Sequence, residues 1–400
     1  MDDWATRALG DVILKTPTTD PKKTPDVKFL YVDVSGVSNK TLEITTAEEL
    51  LGKDAPSRAR RIVSAGDIIF ATVRPTLRRI AIVPEYLDGQ VVSTGYFVFK
   101  PNSEVFNRYL YYFLQTETFM GKMQRLQAGA SYPAVNDTQV KGQPISYPPI
   151  PEQQRIVAIL DQAFADIEKA RANAEQNLKN ARELFDSYLQ QVFSQRGEGW
   201  EVKTLNEIAD VQYGYTDKST EEGDFRYVRI TDIDKNGELI SENKKYIKHS
   251  KEAAHFVVQD KDLLMARTGA TFAKVLLYND YEPSVFASYL IKIKFKGNVK
   301  NELYWYFSKT SNYWQQAEEL KSGAAQPHFN GAALKQVIFC YPKSLEEQET
   351  LIQSFKVLSM ETKKLEAIYY GKINALDELK KSLLQKAFSG ELTKSKGIAA

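Results

Sequence analysis

From Phe164 onward the apolar or small residues fall at Ile167, Ala174, Leu178, Ala181, Phe185, Tyr188 and Val192, in steps of three and four with Arg171 in the slot after Ile167. That spacing predicts a helix built to lie along a second helix. No proline or glycine interrupts residues 152–195. At 1.5 Å per residue such a rod is roughly 65 Å long, more than one compact core can bury. Pro149 and Pro151 precede it, where proline starts a helix. A related opening, Tyr341-Pro-Lys-Ser-Leu-Glu-Glu-Gln, precedes a second run with Leu365, Ile368, Leu376, Leu379 and Leu383 as its expected apolar side. The two runs also close alike, on Ser187-Tyr-Leu-Gln-Gln-Val-Phe-Ser and Ser382-Leu-Leu-Gln-Lys-Ala-Phe-Ser.

The segments before the rods repeat as well. Trp4 matches Trp200, Phe29-Leu-Tyr-Val matches Phe225-Arg-Tyr-Val, and Gly66-Asp-Ile-Ile-Phe-Ala matches Lys261-Asp-Leu-Leu-Met-Ala. Further on, Tyr109-Leu-Tyr-Tyr-Phe matches Leu303-Tyr-Trp-Tyr-Phe, and Gly129-Ala-Ser-Tyr-Pro-Ala-Val-Asn matches Gly323-Ala-Ala-Gln-Pro-His-Phe-Asn. Ordered matches at a nearly constant offset indicate a duplicated unit of globular domain plus rod. In the first copy, short strands are expected within 27–37, at 68–71 and 80–83, and through 91–100, followed by one aromatic-rich helix over 107–126. The second copy repeats that order, so the expected fold class is α+β. Two pseudo-repeated globular domains, each a small mixed sheet plus helices, would be joined by two long helices forming an antiparallel coiled coil. The boundaries expected are 1–148, 149–197, 198–342 and 343–395. If the rods run antiparallel, the two domains would be held as two reading heads at a set separation, an object suited to DNA with an approximate dyad.

Composition narrows this little. Hydrophobic residues at 43% can supply real cores, and 53 Lys+Arg against 51 Asp+Glu leave a net charge of +2, so any nucleic-acid surface must be a local patch. The lone Cys340, on the run Val337-Ile-Phe, reads as a buried strand thiol in a reducing compartment. With no long apolar run and no charged-then-apolar leader, a cytoplasmic location is expected.

Catalytic constellations do not assemble. His249, His255 and His328 lack the spacing of a metal site, and no phosphate-binding Gly-rich loop is present. Tyr147-Pro-Pro-Ile is similar to the tetrapeptide of amino-group DNA methyltransferases, but Tyr147 replaces the polar residue that would hold the amine and Ile150 the stacking aromatic. It reads as a turn leading into the helix.

Three loops per copy suit nucleic acid better. Gln212-Tyr213-Gly-Tyr215-Thr216 offers amide, hydroxyl and stacking surface around a glycine; its counterpart near Thr16-Pro-Thr-Thr has diverged. Arg74, Arg78 and Arg79 occupy one strand-to-strand turn, and Arg267, Thr271 and Lys274 the matching one, where they would grip phosphate or fork onto guanine. Tyr132 and Asn136 in the first copy, and Gln326, His328 and Asn330 in the second, sit on a third loop whose frame repeats while its tip changes. Arg229 joins these candidates from the strand end after Tyr227, and Arg58, Arg60 and Arg61 add a weaker basic cluster.

Taken together, Trp200-x-x-x-x-Leu205-x-x-Ile208, the Gly-x-x-x-Pro-x-x-Asn loops, Pro149-Ile-Pro-Glu-Gln-Gln-Arg-Ile-Val and Leu384-Gln-Lys-Ala-Phe-Ser-Gly-Glu-Leu make the whole chain similar to specificity (S) subunits of type I restriction–modification systems. The first copy keeps the opening less well, as Trp4-Ala-Thr-Arg-Ala-Leu. The resemblance implies that each globular segment is a target recognition domain for one half of a split, asymmetric DNA site. It implies that the rods, through residues such as Phe164, Ile167, Leu178, Phe185, Leu365, Leu376 and Leu383, fix the spacer and dock two methylation (M) subunits, with up to two restriction (R) subunits joining. This chain would then be non-catalytic and bind no cofactor; S-adenosylmethionine would belong to M, and ATP and Mg to R. The alternative is a coiled-coil adaptor joining two protein partners without DNA contact; a stand-alone methyltransferase or nuclease would need a cofactor or metal site that the motifs do not supply.

Overall fold

The computed structural model describes residues 3–195, 197–323 and 327–393. They fall into two compact units, one formed by the chain up to Ala174 together with the segment from Gly371 on, the other by Glu175–Tyr370.

In the first unit the strands are β1 (Ala5–Ala8), β2 (Lys28–Val32), β3 (Glu48–Leu51), β4 (Ala59–Ile62), β5 (Ile68–Ala71), β6 (Ile80–Ile82), β7 (Val91–Ser93), β8 (Tyr96–Phe99) and β9 (Pro144–Tyr147). One sheet has the order β3-β2-β7-β4 with β2 and β7 parallel; the second is β6-β5-β8, all antiparallel; β1 pairs with β9. Residues 91–100 thus form two strands in different sheets. The break comes at Gly95, where an added Cβ would lie 2.4 Å from the Val34 side chain. Strands β5 and β8 read as unbroken apolar runs because both faces are covered. Ile68, Phe70, Phe97 and Phe99 face the helices, while Ile69, Ala71, Tyr96 and Val98 face the other sheet.

Helices α1 (Asn107–Leu114), α2 (Glu117–Leu126) and α3 (Asp137–Lys141) follow. The single helix expected over 107–126 is broken by Thr116, whose hydroxyl donates to the Phe113 carbonyl (2.7 Å) and accepts from the Phe119 N–H (3.2 Å), ending one helix and capping the next. Then comes α4 (Ile150–Ser194), one continuous helix.

The second unit repeats the plan with β10 (Trp200–Thr204), β11 (Ala209–Tyr213), β12 (Phe225–Val228), β13 (Tyr246–Ile247), β14 (Val257–Val258), β15 (Leu263–Ala266), β16 (Val275–Leu277), β17 (Ser284–Phe286), β18 (Leu290–Phe295) and β19 (Ile338–Pro342). Their orders are β13-β12-β17-β14, with β12 and β17 parallel, then β11-β18-β15-β16, and β10-β19. Helices α5 (Leu205–Ile208), α6 (Asn301–Phe307), α7 (Ser311–Leu320), α8 (Gly331–Gln336) and α9 (Leu345–Phe388) complete it, with Thr310 dividing α6 from α7 as Thr116 divides α1 from α2. Cys340 lies on β19 but is only half-buried: alternate residues Phe339 and Tyr341 face the core, leaving the thiol on the outer face near the Gln195 carbonyl.

Both long helices begin on a buried glutamine. Gln153 donates to the Glu104 and Pro148 carbonyls and accepts from the Phe106 N–H, all at 2.8 Å. Gln348 does the same with the Asn298 and Pro342 carbonyls (2.8 Å each) and the Lys300 N–H (2.9 Å).

Within each unit α4 and α9 run antiparallel. In the first, Arg171 pairs with Asp377 and Glu168 with Lys380 (3.0 Å), and Phe164 and Ile167 share a core with Leu376, Leu383, Leu384 and Ala387. In the second, Arg182 meets Glu366 (2.6 Å), and Phe185, Tyr188 and Val192 share a core with Leu351, Ile352 and Phe355. The α4 seam follows the sequence pattern, but the α9 seam does not. It passes through Ile352, Phe355, Thr362, Glu366, Ile373, Leu376, Lys380, Leu383 and Ala387, leaving Leu365, Ile368 and Leu379 exposed. Polar members of that seam are held by cross-helix pairs such as Arg182–Glu366, so its apolar residues alone misplace the inward face.

Candidate nucleic-acid interface

Two of the loops that sequence marks meet in the first unit, whereas Thr18 of the third bridges to Arg61 on β4. In the second unit all three meet, Tyr213 touching both Arg267 and the Gly331 N–H. In the first unit, β5 runs into a turn in which Val73, two residues past the strand end, bridges to Ala134, while Ala128 and Ala134 exchange hydrogen bonds (2.9 Å each) across a hairpin tip. In the second, Thr268 bridges to His328, and Ser322 and His328 exchange hydrogen bonds (2.9 and 2.8 Å). Gly129 (φ +108°) and Gly323 (φ +86°) supply the left-handed bend of each tip.

On that shared frame the arginines differ. Arg74 and Arg78 hold left-handed conformations (φ +50° and +54°) at positions that the second copy fills with Gly269 (+73°) and Ala273 (+61°). Bulky residues in this region are held only where the surroundings fix them, a pattern common at functional sites. Arg74 is exposed. Its guanidinium lies 4.9 Å from the centroid of the Tyr132 ring and donates to the Ser131 carbonyl (3.3 Å), and Tyr132 is 71% exposed. Arg78 pairs with Glu117 (2.6 Å), and Arg79 turns inward to the Val34 carbonyl (2.7 Å). Asn136 caps α3 in a capping box with Gln139. Of the weaker cluster, Arg61 binds Asp137 and Arg60 binds Asp20, while Arg58 is exposed.

In the second unit Arg267 corresponds to Thr72, not to Arg74: the Arg267 N–H donates to the Tyr289 carbonyl (3.0 Å) as the Thr72 N–H does to Gly95 (2.8 Å). Its guanidinium lies near two rings, 5.4 Å from the centroid of Tyr213 and 5.5 Å from that of Tyr289. Tyr213 is anchored by its hydroxyl, which accepts from the Gly331 N–H at the start of α8 (2.8 Å). The Tyr215 carbonyl accepts from the Tyr227 hydroxyl (2.7 Å), whose pKa burial raises. Thr216 and His328 are exposed and Thr271 is half-buried. Gln212 reaches the His255 carbonyl (3.2 Å), and Asn330 caps α8. Arg229 is committed to Asp232 (2.7 Å), and Lys274 points to the Asp234 carbonyl (3.5 Å), away from the tip. Gln326 lies outside the described residues.

Tyr289 escaped the sequence reading. The signal was there: Val285-Phe-Ala-Ser-Tyr289 aligns with Val91-Val-Ser-Thr-Gly95, a tyrosine against a glycine on an otherwise matched strand end. Among the described residues, no group of three or more His, Cys, Asp or Glu side chains is arranged to hold a metal, and no helix is long and apolar enough to cross a membrane.

The profile of the type I restriction modification DNA specificity domain matches residues 1–176 and, again, 197–374. The chain belongs to that family. Specificity subunits are accordingly its relatives. The HindI specificity subunit of Haemophilus influenzae is 30% identical over 47% of this chain and 41% of its own length. The MjaIX specificity subunit of Methanocaldococcus jannaschii is 26% identical over 53% of each. The chain thus spans about half the length of these curated relatives, or less. Among solved structures, one described as the basis of complex assembly and conformational transition of the type I R-M system matches with a TM-score of 0.87 at 26% identity, covering 98% of this chain and 99% of that one. The HsdS subunit from Thermoanaerobacter tengcongensis matches with a TM-score of 0.68 at 27% identity over 98% of each chain.

Proposed function

We propose that this chain is the DNA-specificity subunit of a type I restriction–modification complex, with residues 1–148 and 198–342 as target recognition domains for the two halves of a split site, and 149–197 and 343–395 as the helices that scaffold its partners. The observation that carries this reading is the repeated frame with unlike tips: Arg74 with Tyr132 in one copy, Arg267 with Tyr213 and Tyr289 in the other. Two surfaces of one architecture that differ at their exposed side chains suit two different base sequences. Phosphate contacts would supply salt-dependent affinity and the tips the sequence.

The chemistry belongs to the partners. Two methylation subunits would hold S-adenosylmethionine and methylate adenine drawn from the stack, and up to two restriction subunits would use ATP and Mg. In the second unit, Leu184 and Val357, which line a groove between α4 and α9, and the neighbouring Leu365 and Ile368 are exposed apolar residues that favour docking of such partners. The test is duplex binding by the S–M complex. The wild-type complex is expected to retain specific DNA, and the Arg74→Ala/Arg267→Ala double variant to lose it; an adaptor without DNA contact would show no duplex binding in either.

A further inference from the structure

We infer that Arg267, which lies against the rings of Tyr213 and Tyr289, reads a guanine in the half-site of the second unit. The inference rests on the DNA-recognition reading above and assigns the base. Four observations support it. The guanidinium carbon lies 5.4 Å from the centroid of the Tyr213 ring and 5.5 Å from that of Tyr289. Its backbone is fixed too, by the bond to the Tyr289 carbonyl and by the Phe329 N–H donating to the Arg267 carbonyl (2.8 Å). Its Nε is buried and has no acceptor, so only the paired Nη edge remains to face a ligand. Among the described residues no carboxylate lies within 4.0 Å of it, whereas Arg226 and Arg229 of the same unit are bound to Asp280 and Asp232.

A phosphate is met bidentately by arginine or, as a point charge, by lysine. A guanidinium whose backbone is fixed and whose Nε is buried, leaving its Nη edge free, suits the acceptor pair of a base edge. Guanine offers such a pair, O6 and N7, on its major-groove edge, while adenine sets a donor beside N7 and cytosine and thymine lack the pair. This arrangement is confined to the second unit. At the positions of Arg267 and Tyr289 the first copy has Thr72 and Gly95, and a Cβ at Gly95 would meet Val34 at 2.4 Å, so no tyrosine fits there.

The test selects fully randomised duplexes with the assembled S–M complex carrying wild-type chain, Arg267→Lys, Arg267→Ala or Tyr289→Leu, and measures the salt dependence of binding to the wild-type motif. The wild type is expected to fix a guanine at one position of one half-site. Arg267→Lys and Arg267→Ala should each lose preference at that position by about ten- to hundredfold while the other half-site is still selected, which also reports a folded complex. Tyr289→Leu should weaken the same position. If Arg267→Ala left the motif intact, weakened all sequences alike and lowered the salt slope by about one, Arg267 would be a phosphate contact and the inference would fail. Should Arg267→Ala lose both half-sites through misfolding, the Arg267→Lys arm decides, since an unchanged guanine there overturns the proposal. A wild-type complex that selected no sequence would overturn the underlying function itself.

Discussion

Gly214 shows how a single residue sets the second unit's Gln212–Thr216 loop. Its φ is ordinary, but a Cβ there would stand 2.2 Å from the Ala287 carbonyl oxygen, because Tyr215 bridges directly to Ala287. The glycine is required there by the close approach of two backbones. Gly214→Ala should destabilise the protein by about 1–3 kcal/mol in denaturant unfolding, since backbone cannot yield as a side chain does. Lys309 is the second case. Its ammonium donates to the Asn236 carbonyl (2.9 Å) and lies 3.5 Å from the centroid of the Trp305 ring, and burial pulls its pKa down to about 8 against the partial support of Glu238. Below about 8 both folded and unfolded chains carry the proton and the cost of burying it is fully present. Between there and the free value of about 10.4 the unfolded chain binds more protons, so stability rises with pH. The stability of wild type relative to Lys309→Met should therefore increase from pH 8 upward in urea titrations; a flat or falling difference would contradict the assignment.

Elements were legible where apolar residues alone define them. Strands β5, β8 and β15 and the α4 seam could be read because each buried position is hydrophobic. The α9 seam could not, since Thr362, Glu366 and Lys380 stand on its inward face, the last two paired with Arg182 and Glu168 far away in sequence. Likewise the breaks at Thr116 and Thr310 depend on hydroxyl caps inside otherwise helical patterns. The paired glutamines illustrate a motif whose position at a helix start is legible and whose buried bonds are not. As sequence they mark a helix start; in the structure Gln153 and Gln348 are fully buried and fill three hydrogen-bonding roles each. Gln348→Ala should cost about 2–4 kcal/mol, because it leaves the Lys300 N–H and two carbonyls without partners, as measured by urea unfolding.

At the scale of the whole molecule, duplication was the readable feature, and the interleaving of its parts was not. The first unit is completed by the chain's last described helix, with Leu384 and Ala387 in its core and Phe388 packed against Tyr109 and Phe113. Which tip residues face outward was equally hidden, since several marked cations, Arg78, Arg79 and Arg229 among them, are occupied within the fold. What the repeat does predict is modular recognition. The measurement that tests this most directly is to map methylated adenines in DNA from a host carrying the system, before and after residues 1–148 are exchanged for the corresponding segment of another family member. The expected result is a split motif of which one half changes and the other stays. If both halves changed, or neither did, two independent readers on one chain would be the wrong description.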